Sequence, residues 1–305
     1  MEQKDLIIIG AGPAGLSAGI HAGYFGVKAS ILEGNIPGGL VVEIPFLENY
    51  PGLKDGIAGG SFIERMVEQC NKYGGEIRQF EKVVKLDFKG KEKIVKTDKS
   101  EYMTDVVIIA SGRTPKTLGV PGENEFFGKG VSYCAVCDGA FFKGKKVIVI
   151  GEKSPAVEIA AYFSNLASKV TLICLRPSIE AEKILIERLA EKKVEILSNV
   201  EVKELKGDVK IKSVVLSDKN TGDIKEMETD GVFFQLEETP NSQLAEKAGI
   251  NINEKGYIIV DEKGRTNIDG VYAVGDVTNH SVKQVVTAVA QAAATVNDIS
   301  EKRGI

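Results

Sequence analysis

Apolar runs and helical spacing alternate along this chain in an order that occurs twice. Residues 6–9 are Leu-Ile-Ile-Ile, a short run with no polar alternation, as expected for a strand buried on both faces. The run ends at Gly10-Ala11-Gly12-Pro13-Ala14-Gly15, and residues 16–26 continue with helical spacing. A second apolar run, 28–32, stops at Glu33. Strand, glycine turn, helix and strand make a βαβ unit. The same order begins again at Lys146-Val147-Ile148-Val149-Ile150-Gly151, with a helix over about 155–166 and a strand over 169–174. Between the two units, 62–73 reads as helix and 76–108 as strands with Lys-rich turns, closing in the apolar strand 105–110. After the second unit come a helix near 180–191, further strands through 231–234, and a strand near 256–260. The chain ends with Gly270-Val271-Tyr272-Ala273-Val274-Gly275-Asp276 and an Ala-rich helix over about 281–301.

The pattern predicts an α/β fold with two Rossmann-like dinucleotide-binding domains, the second inserted into the first. Residues 1–116 and 247–305 would form the discontinuous first domain and 117–246 the central one. Pro115, Pro121-Gly122 and Pro240 mark short crossings near 115–120 and 244–248. The length of 305 residues agrees with two cores rather than one.

Composition narrows the function. A net charge of −4 offers no basic field for nucleic acid. No apolar run is long enough to span a bilayer, and the N-terminus enters a strand at once, leaving no room for a signal peptide; a cytoplasmic protein is expected. Of four cysteines only Cys134 and Cys137 form a C-x-x-C pair. A zinc site needs more ligands than this pair with the scattered His21 and His280, so no metal is expected. In a chain without an export signal the pair reads as redox-active, and Cys70 and Cys174 as packing residues.

The first glycine turn has a dinucleotide fingerprint in its proper context. Gly10 permits the tight turn, Gly12 the approach of backbone to a pyrophosphate and Gly15 close packing of helix on strand, while Glu33 is placed for a ribose diol. The later Gly275-Asp276, an acid at a strand end before a helix, adds a second contribution of the kind a ribityl and phosphate chain needs, which points to FAD. In the dithiol segment, two residues between cysteines suit a disulfide at a helix start, where the dipole favours thiolate. Asp138, next to Cys137, can donate or accept the proton.

These residues resemble the low-molecular-weight thioredoxin reductase family over essentially the full chain. The matching segments are Gly10–Gly15, Pro37-Gly38-Gly39, Glu48-Asn49-Tyr50-Pro51-Gly52, Gly119-Val120-Pro121-Gly122-Glu123, Cys134-Ala135-Val136-Cys137-Asp138 and residues 270–277. The resemblance implies a homodimer with one FAD per subunit and thioredoxin as substrate. It implies that Cys137 lies nearer the flavin, that Cys134 attacks thioredoxin and that Asp138 handles the proton. It also implies that FAD is lined by Pro13, Ala14, Gly34, Gly39, Asn49, Val84, Ala110, Ser111, Gly112, Gly275, Asp276, Lys283, Gln284 and Val285, beside Gly10, Gly12, Gly15 and Glu33.

The second turn departs from the family's G-x-G-x-x-A. It reads Gly151-Glu152-Lys153-Ser154-Pro155-Ala156. Lys153 replaces the second glycine, Glu152 adds negative charge, and Ser154-Pro155 looks like a helix that caps its own start. Where the family has an arginine-rich run, only Arg176 survives and Glu180 reverses the sign; Glu237 stands where a small residue is usual. The expectation is a pocket closed to NADPH. The pattern then resembles the ferredoxin-dependent flavin thioredoxin reductases, which implies electrons passing from ferredoxin through FAD and the dithiol to thioredoxin. Lys143, Lys145, Lys146 and Lys283 are candidate docking charges for an acidic ferredoxin, and His280 a candidate flavin neighbour. Two alternatives stand beside it: an NAD(P)H-dependent thioredoxin reductase with an atypical nucleotide pocket, and a FAD/dithiol redox sensor without turnover.

Overall fold

The computed structural model describes residues 1–44, 46–90, 92–192, 194–236 and 238–304. In chain order the elements are β1 (Glu2–Gln3), β2 (Leu6–Ile9), α1 (Pro13–Tyr24), β3 (Ala29–Leu32), α2 (Gly59–Lys72), β4 (Glu76–Arg78), β5 (Val83–Asp87), β6 (Lys93–Thr97), β7 (Glu101–Thr104), β8 (Val107–Ile109) and β9 (Arg113–Pro115). There follow β10 (Val131–Ser132), α3 (Ala135–Asp138), β11 (Lys146–Ile150), α4 (Ser154–Phe163), β12 (Lys169–Ile173), α5 (Lys183–Ala190), β13 (Glu195–Leu197), β14 (Val200–Gly207), β15 (Ile211–Asp218), β16 (Ile224–Glu228) and β17 (Gly231–Phe234). The chain returns through β18 (Glu238–Pro240), α6 (Gln243–Lys247), β19 (Val271–Ala273) and α7 (Val285–Arg303). It is an α/β fold whose two compact units each hold a parallel sheet.

The first unit comprises residues 1–42, 46–114 and 239–305. Its parallel sheet has the order β19-β8-β2-β3-β4. Alternate residues of β2 serve opposite faces. Ile7 and Ile9 join a core with Leu32, Val107, Val95, Tyr102 and Ile258, under the four-stranded sheet β1-β7-β6-β5. On the other face Gly19 of α1 lets the helix settle onto Ile31 and Cys70, whose side-chain atoms lie 2.6 and 2.8 Å from where its Cβ would stand.

The second unit comprises 43–45 and 115–238. Its parallel sheet, β10-β17-β11-β12-β13, divides its side chains the same way. Val147, Val149, Val170, Leu172 and Phe233 pack with Ala156, Ile159 and Phe163 of α4, whereas Ile148, Ile150, Ile173, Val232 and Phe234 pack on β14 and β15 through Val202, Val214 and Leu216. Continuous apolar strands are therefore what a sheet covered on both faces requires.

Element ends differ from the sequence expectation for local reasons. Helix α5 starts at Lys183, not near 180, because the Glu180 amide donates to the Glu152 carbonyl (2.7 Å). Helix α7 starts at Val285 because Gln284 and Thr287 form a capping box. The return crossing falls at 238/239 rather than 244–248: α6 already belongs to the first unit, where Ala245 lies in the core with Ile250 and Ile258. No described helix is long and apolar enough to cross a membrane.

Helix α7 is fastened through Asp298, a carboxylate 2% exposed. Its oxygens accept from Arg265 (Nε, 2.8 Å, and Nη2) and pair with Lys263 at 3.0 Å. The Arg265 hydrogen bonds, helped by Lys263, hold its pKa down to about 2, against a usual 3.8. A depressed carboxylate stabilises the fold above its unfolded value and stops doing so as pH falls through the folded one. Asp298→Ala is expected to lose about 2 kcal/mol in urea unfolding at pH 7. That difference from the parent protein should shrink as pH is lowered from about 4 towards 2.

Candidate active site

The first glycine turn is built by contacts that no side chain would survive. Gly10 has φ +100°, and a Cβ there would stand 2.5 Å from the Ala110 carbonyl oxygen, so β8 and β2 end in mutual contact. A Cβ on Gly15 would stand 1.9 Å from the Gly10 carbonyl oxygen. Gly12 differs: its backbone is ordinary (φ −73°, ψ −176°), and a Cβ there would meet nothing within 4 Å. The fold does not need a glycine at 12, whereas a pyrophosphate lying against that backbone does. Helix α1 has no side-chain cap and no acid in its first turn, so its leading N–H groups stay open to an anion. Glu33 is held in place, Oε2 accepting from the Ala11 amide (2.8 Å) and Oε1 from the Asn35 amide (2.9 Å). Gly38 donates its amide to the Ala11 carbonyl at 2.9 Å, which brings Gly39 beside Gly12.

The late segment meets this turn. A Cβ on Gly275 would lie 2.8 Å from the Ala14 Cβ, so the 275–277 turn sits against the start of α1. The Gly275 amide donates to Gln291 Oε1 (2.7 Å). Asp276 receives Arg113, with Nε at 3.1 Å and Nη2 at 2.7 Å from Oδ2. Ser111 and Asn241 exchange hydrogen bonds, Ser111 Oγ to the Asn241 carbonyl and Asn241 Nδ2 to the Ser111 carbonyl, both 2.8 Å. Arg113 and Asn241 were not anticipated. Arg113 directly follows Ser111-Gly112 at a strand end and was findable by that position; Asn241 gave no sequence signal. Gln284 is spent on capping α7, and Val285 is that helix's first residue. Gly34 packs beside Lys82, and Asn49 and Val84 are exposed.

Lys283 is not a free surface charge. Its Nζ donates to the Thr278 carbonyl and lies 4.3 Å from the Tyr257 ring centre, and burial lowers its pKa to about 8. Lys146 is paired with Glu228 (2.9 Å), and Lys145 lies over the Phe142 ring. His280 turns back on its own exposed loop, with Nδ1 3.0 Å from the Val282 carbonyl.

In the second unit Cys134 and Cys137 are joined as a disulfide, with Cα atoms 5.4 Å apart. Helix α3 is a single turn, so its dipole is small; the Cys137 amide, donating to Cys134 Sγ at 3.1 Å, is the local help for negative charge on sulfur. The Cys134 amide donates to Ser132 Oγ (3.0 Å), and Asp138, half-buried, closes the turn through its amide to the Cys134 carbonyl (3.2 Å). Cys70 and Cys174 are buried, and burial pushes each thiol up to about 11.

The second glycine turn keeps the shape of the first. Gly151 has φ +155°, and a Cβ there would lie 2.1 Å from the Gln235 carbonyl oxygen, as Gly10 stands to Ala110. Lys153 caps α4 with φ −100° and ψ 172°, close to Gly12, a conformation any residue adopts. Ser154 is not the cap: it is the first helical residue, and its hydroxyl donates to Glu182. The start of α4 is therefore not closed by its own side chain. Glu152 is buried, and its carboxylate accepts from the Leu175 amide (3.3 Å) and pairs with Arg176 (3.4 Å). Arg176 also holds Glu180 at 2.9 Å. Glu237 lies outside the described residues.

Comparison with known proteins decides the family. A family model described as pyridine nucleotide-disulphide oxidoreductase matches residues 4–292. The chain belongs to the pyridine nucleotide-disulphide oxidoreductases. It is 41% identical to the thioredoxin reductase of Bacillus subtilis (strain 168) over 94% of this chain and 91% of that protein. Its structure resembles the thioredoxin reductases of T. acidophilum (TM-score 0.95, 34% identity, all of both chains) and Lactococcus lactis (TM-score 0.92, 35% identity, 98% of each chain). It is an oxidoreductase of the thioredoxin reductase type, and membership implies FAD, which the open Gly12 edge and uncapped α1 fit. The expected ferredoxin-fed, nucleotide-independent activity is overturned by these relatives. The side-chain changes on which it rested leave the second turn's backbone intact.

The two turn glycines should separate fold from site. Gly15→Ala should lower the stability of the apoprotein by about 2–3 kcal/mol, because its Cβ meets fixed backbone. Gly12→Ala should leave apoprotein unfolding unchanged within ~0.5 kcal/mol yet yield protein poor in flavin. Thermal unfolding of the stripped proteins and flavin absorbance after purification check both.

Proposed function

We propose that the chain is a thioredoxin-disulfide reductase whose electrons come from a reduced pyridine nucleotide held at an atypical turn. The observation that carries this is the Cys134–Cys137 disulfide, with Asp138 beside it, in the same unit as a dinucleotide-type βαβ turn. In this reading the N–H groups of α1 and the backbone at Gly12 bind the FAD pyrophosphate, Glu33 a ribose, and Gly275-Asp276 with Arg113 the flavin-side chain. When bound, the flavin supplies an acceptor for nicotinamide hydride and a donor of an electron pair to a disulfide. The Cys134–Cys137 bond breaks as it gains two electrons and two protons, Asp138 holding the proton in transit. Cys134 then attacks the thioredoxin disulfide, and Cys137 displaces the mixed disulfide, returning the pair to its oxidised state. The reading includes a homodimer, on the family resemblance.

The nucleotide pocket favours a coenzyme without a 2′-phosphate. Arg176 is engaged by Glu180 and Glu152, so a phosphate there would have to displace carboxylates and sit beside them. Lys153 brings a cation to the helix start, where a pyrophosphate would lie. In an anaerobic titration NADH should bleach the flavin at lower concentration than NADPH. Glu180→Arg should shift that preference towards NADPH by roughly tenfold, about 1.4 kcal/mol. Flavin that dithionite bleaches but neither nucleotide does would sink this reading. Cys134→Ser should abolish thioredoxin reduction while leaving nucleotide-driven bleaching intact.

A further inference from the structure

The segment Gly119–Glu123 is distinctive in the sequence yet has no part in the chemistry described so far, and the structure carries it to the dithiol. Glu123 is a carboxylate only 2% exposed. Four donors converge on it. Oε2 accepts from the Gly119 amide (2.6 Å) and the Val120 amide (3.3 Å), and Oε1 from the Leu118 amide (3.1 Å) and the Tyr133 hydroxyl (2.5 Å). This turn is anchored to its neighbour. The Leu205 amide donates to the Pro121 carbonyl at 2.9 Å, and a Cβ on Gly122, where φ is +85°, would lie 2.1 Å from the Leu205 carbonyl oxygen. Turn and strand β14 are thus in backbone contact.

Tyr133 immediately precedes Cys134. Its ring is stacked on Phe234, 5.5 Å between centres, and its carbonyl accepts from Gln235 Nε2 at 3.1 Å. Burial, reinforced by the Glu123 carboxylate, holds its phenol well above the ordinary tyrosine range, so it remains a donor to Glu123. The residue before Cys134 is therefore tied at ring, hydroxyl and carbonyl. The Ser132 hydroxyl brackets the cysteine's own backbone, accepting from its amide and donating to its carbonyl at 3.3 Å.

We infer that Glu123 and Tyr133 are positioning residues for the redox pair, holding Cys134 so that the reduced thiols stay within reach of each other. The physical ground is effective concentration: a disulfide forms more readily the less its two thiols wander when reduced. The inference rests on Cys134–Cys137 being the redox couple, and not on the identity of the electron donor.

The test uses the FAD-loaded full chain, equilibrated anaerobically in dithiothreitol buffers of graded oxidation and trapped with maleimide for mass counting. Tyr133→Phe keeps the ring on Phe234 and removes one hydroxyl; Glu123→Gln keeps the shape and removes the charge. Each should make the pair three- to tenfold easier to reduce, about 14–30 mV less negative for a two-electron couple. Iodoacetamide should also alkylate Cys134 faster in both. A purely structural role would lower the melting temperature and leave the exchange constant and alkylation rate at parental values, and that result overturns the inference alone. A parental protein with no two-thiol transition would overturn the assigned function and this inference together.

Discussion

The approach of the Gly15 position to the Gly10 carbonyl oxygen, and of Gly10 to Ala110, is the constraint on which the first unit depends. A strand end, the start of a helix and a neighbouring strand end converge where only hydrogen fits at Cα. Because that crowding uses up the inner side of the turn, its outer side at Gly12 is left bare, beside the open amides of α1. The binding edge is a by-product of tight packing: the geometry that closes helix on sheet also presents unsatisfied N–H groups to an anion.

The second unit repeats the geometry with different side chains. Gly151 crowds Gln235 as Gly10 crowds Ala110, and Lys153 adopts nearly the dihedral angles of Gly12. Shape is maintained by the one glycine that backbone contact demands, and chemistry is free to vary at the position it does not. The carboxylates of Glu152 and Glu180 both pair with Arg176 and bind the 175–180 loop to the turn. What reads in one dimension as a pocket filled with negative charge is in three dimensions a network in which one arginine is shared by two carboxylates beside an intact turn.

The dithiol follows a related logic. A one-turn helix supplies little dipole, so the sulfur environment depends on individual donors and on how firmly the preceding residues are held. Both oxygens of the buried Glu123 carboxylate accept hydrogen bonds, which is the condition under which a buried charge organises a loop instead of destabilising it.

The sequence by itself determined the α/β class, the two βαβ units and the Cys134/Cys137 pair, because these rest on short-range periodicity and on residue types with a single backbone use. Gly10, Gly15 and Glu33 were legible for that reason, as was the meeting of Gly275 with the first turn. Only the tertiary structure decided the rest. Arg113 on Asp276, Asn241 on Ser111, and Glu123 under Tyr133 join residues 163, 130 and 10 positions apart. No local pattern encodes such pairs. The return crossing at 238/239 depended on which core would take Ala245. The meaning of Glu152 and Ser154 depended on where their side chains turned, and composition cannot tell a carboxylate facing a phosphate from one already facing an arginine.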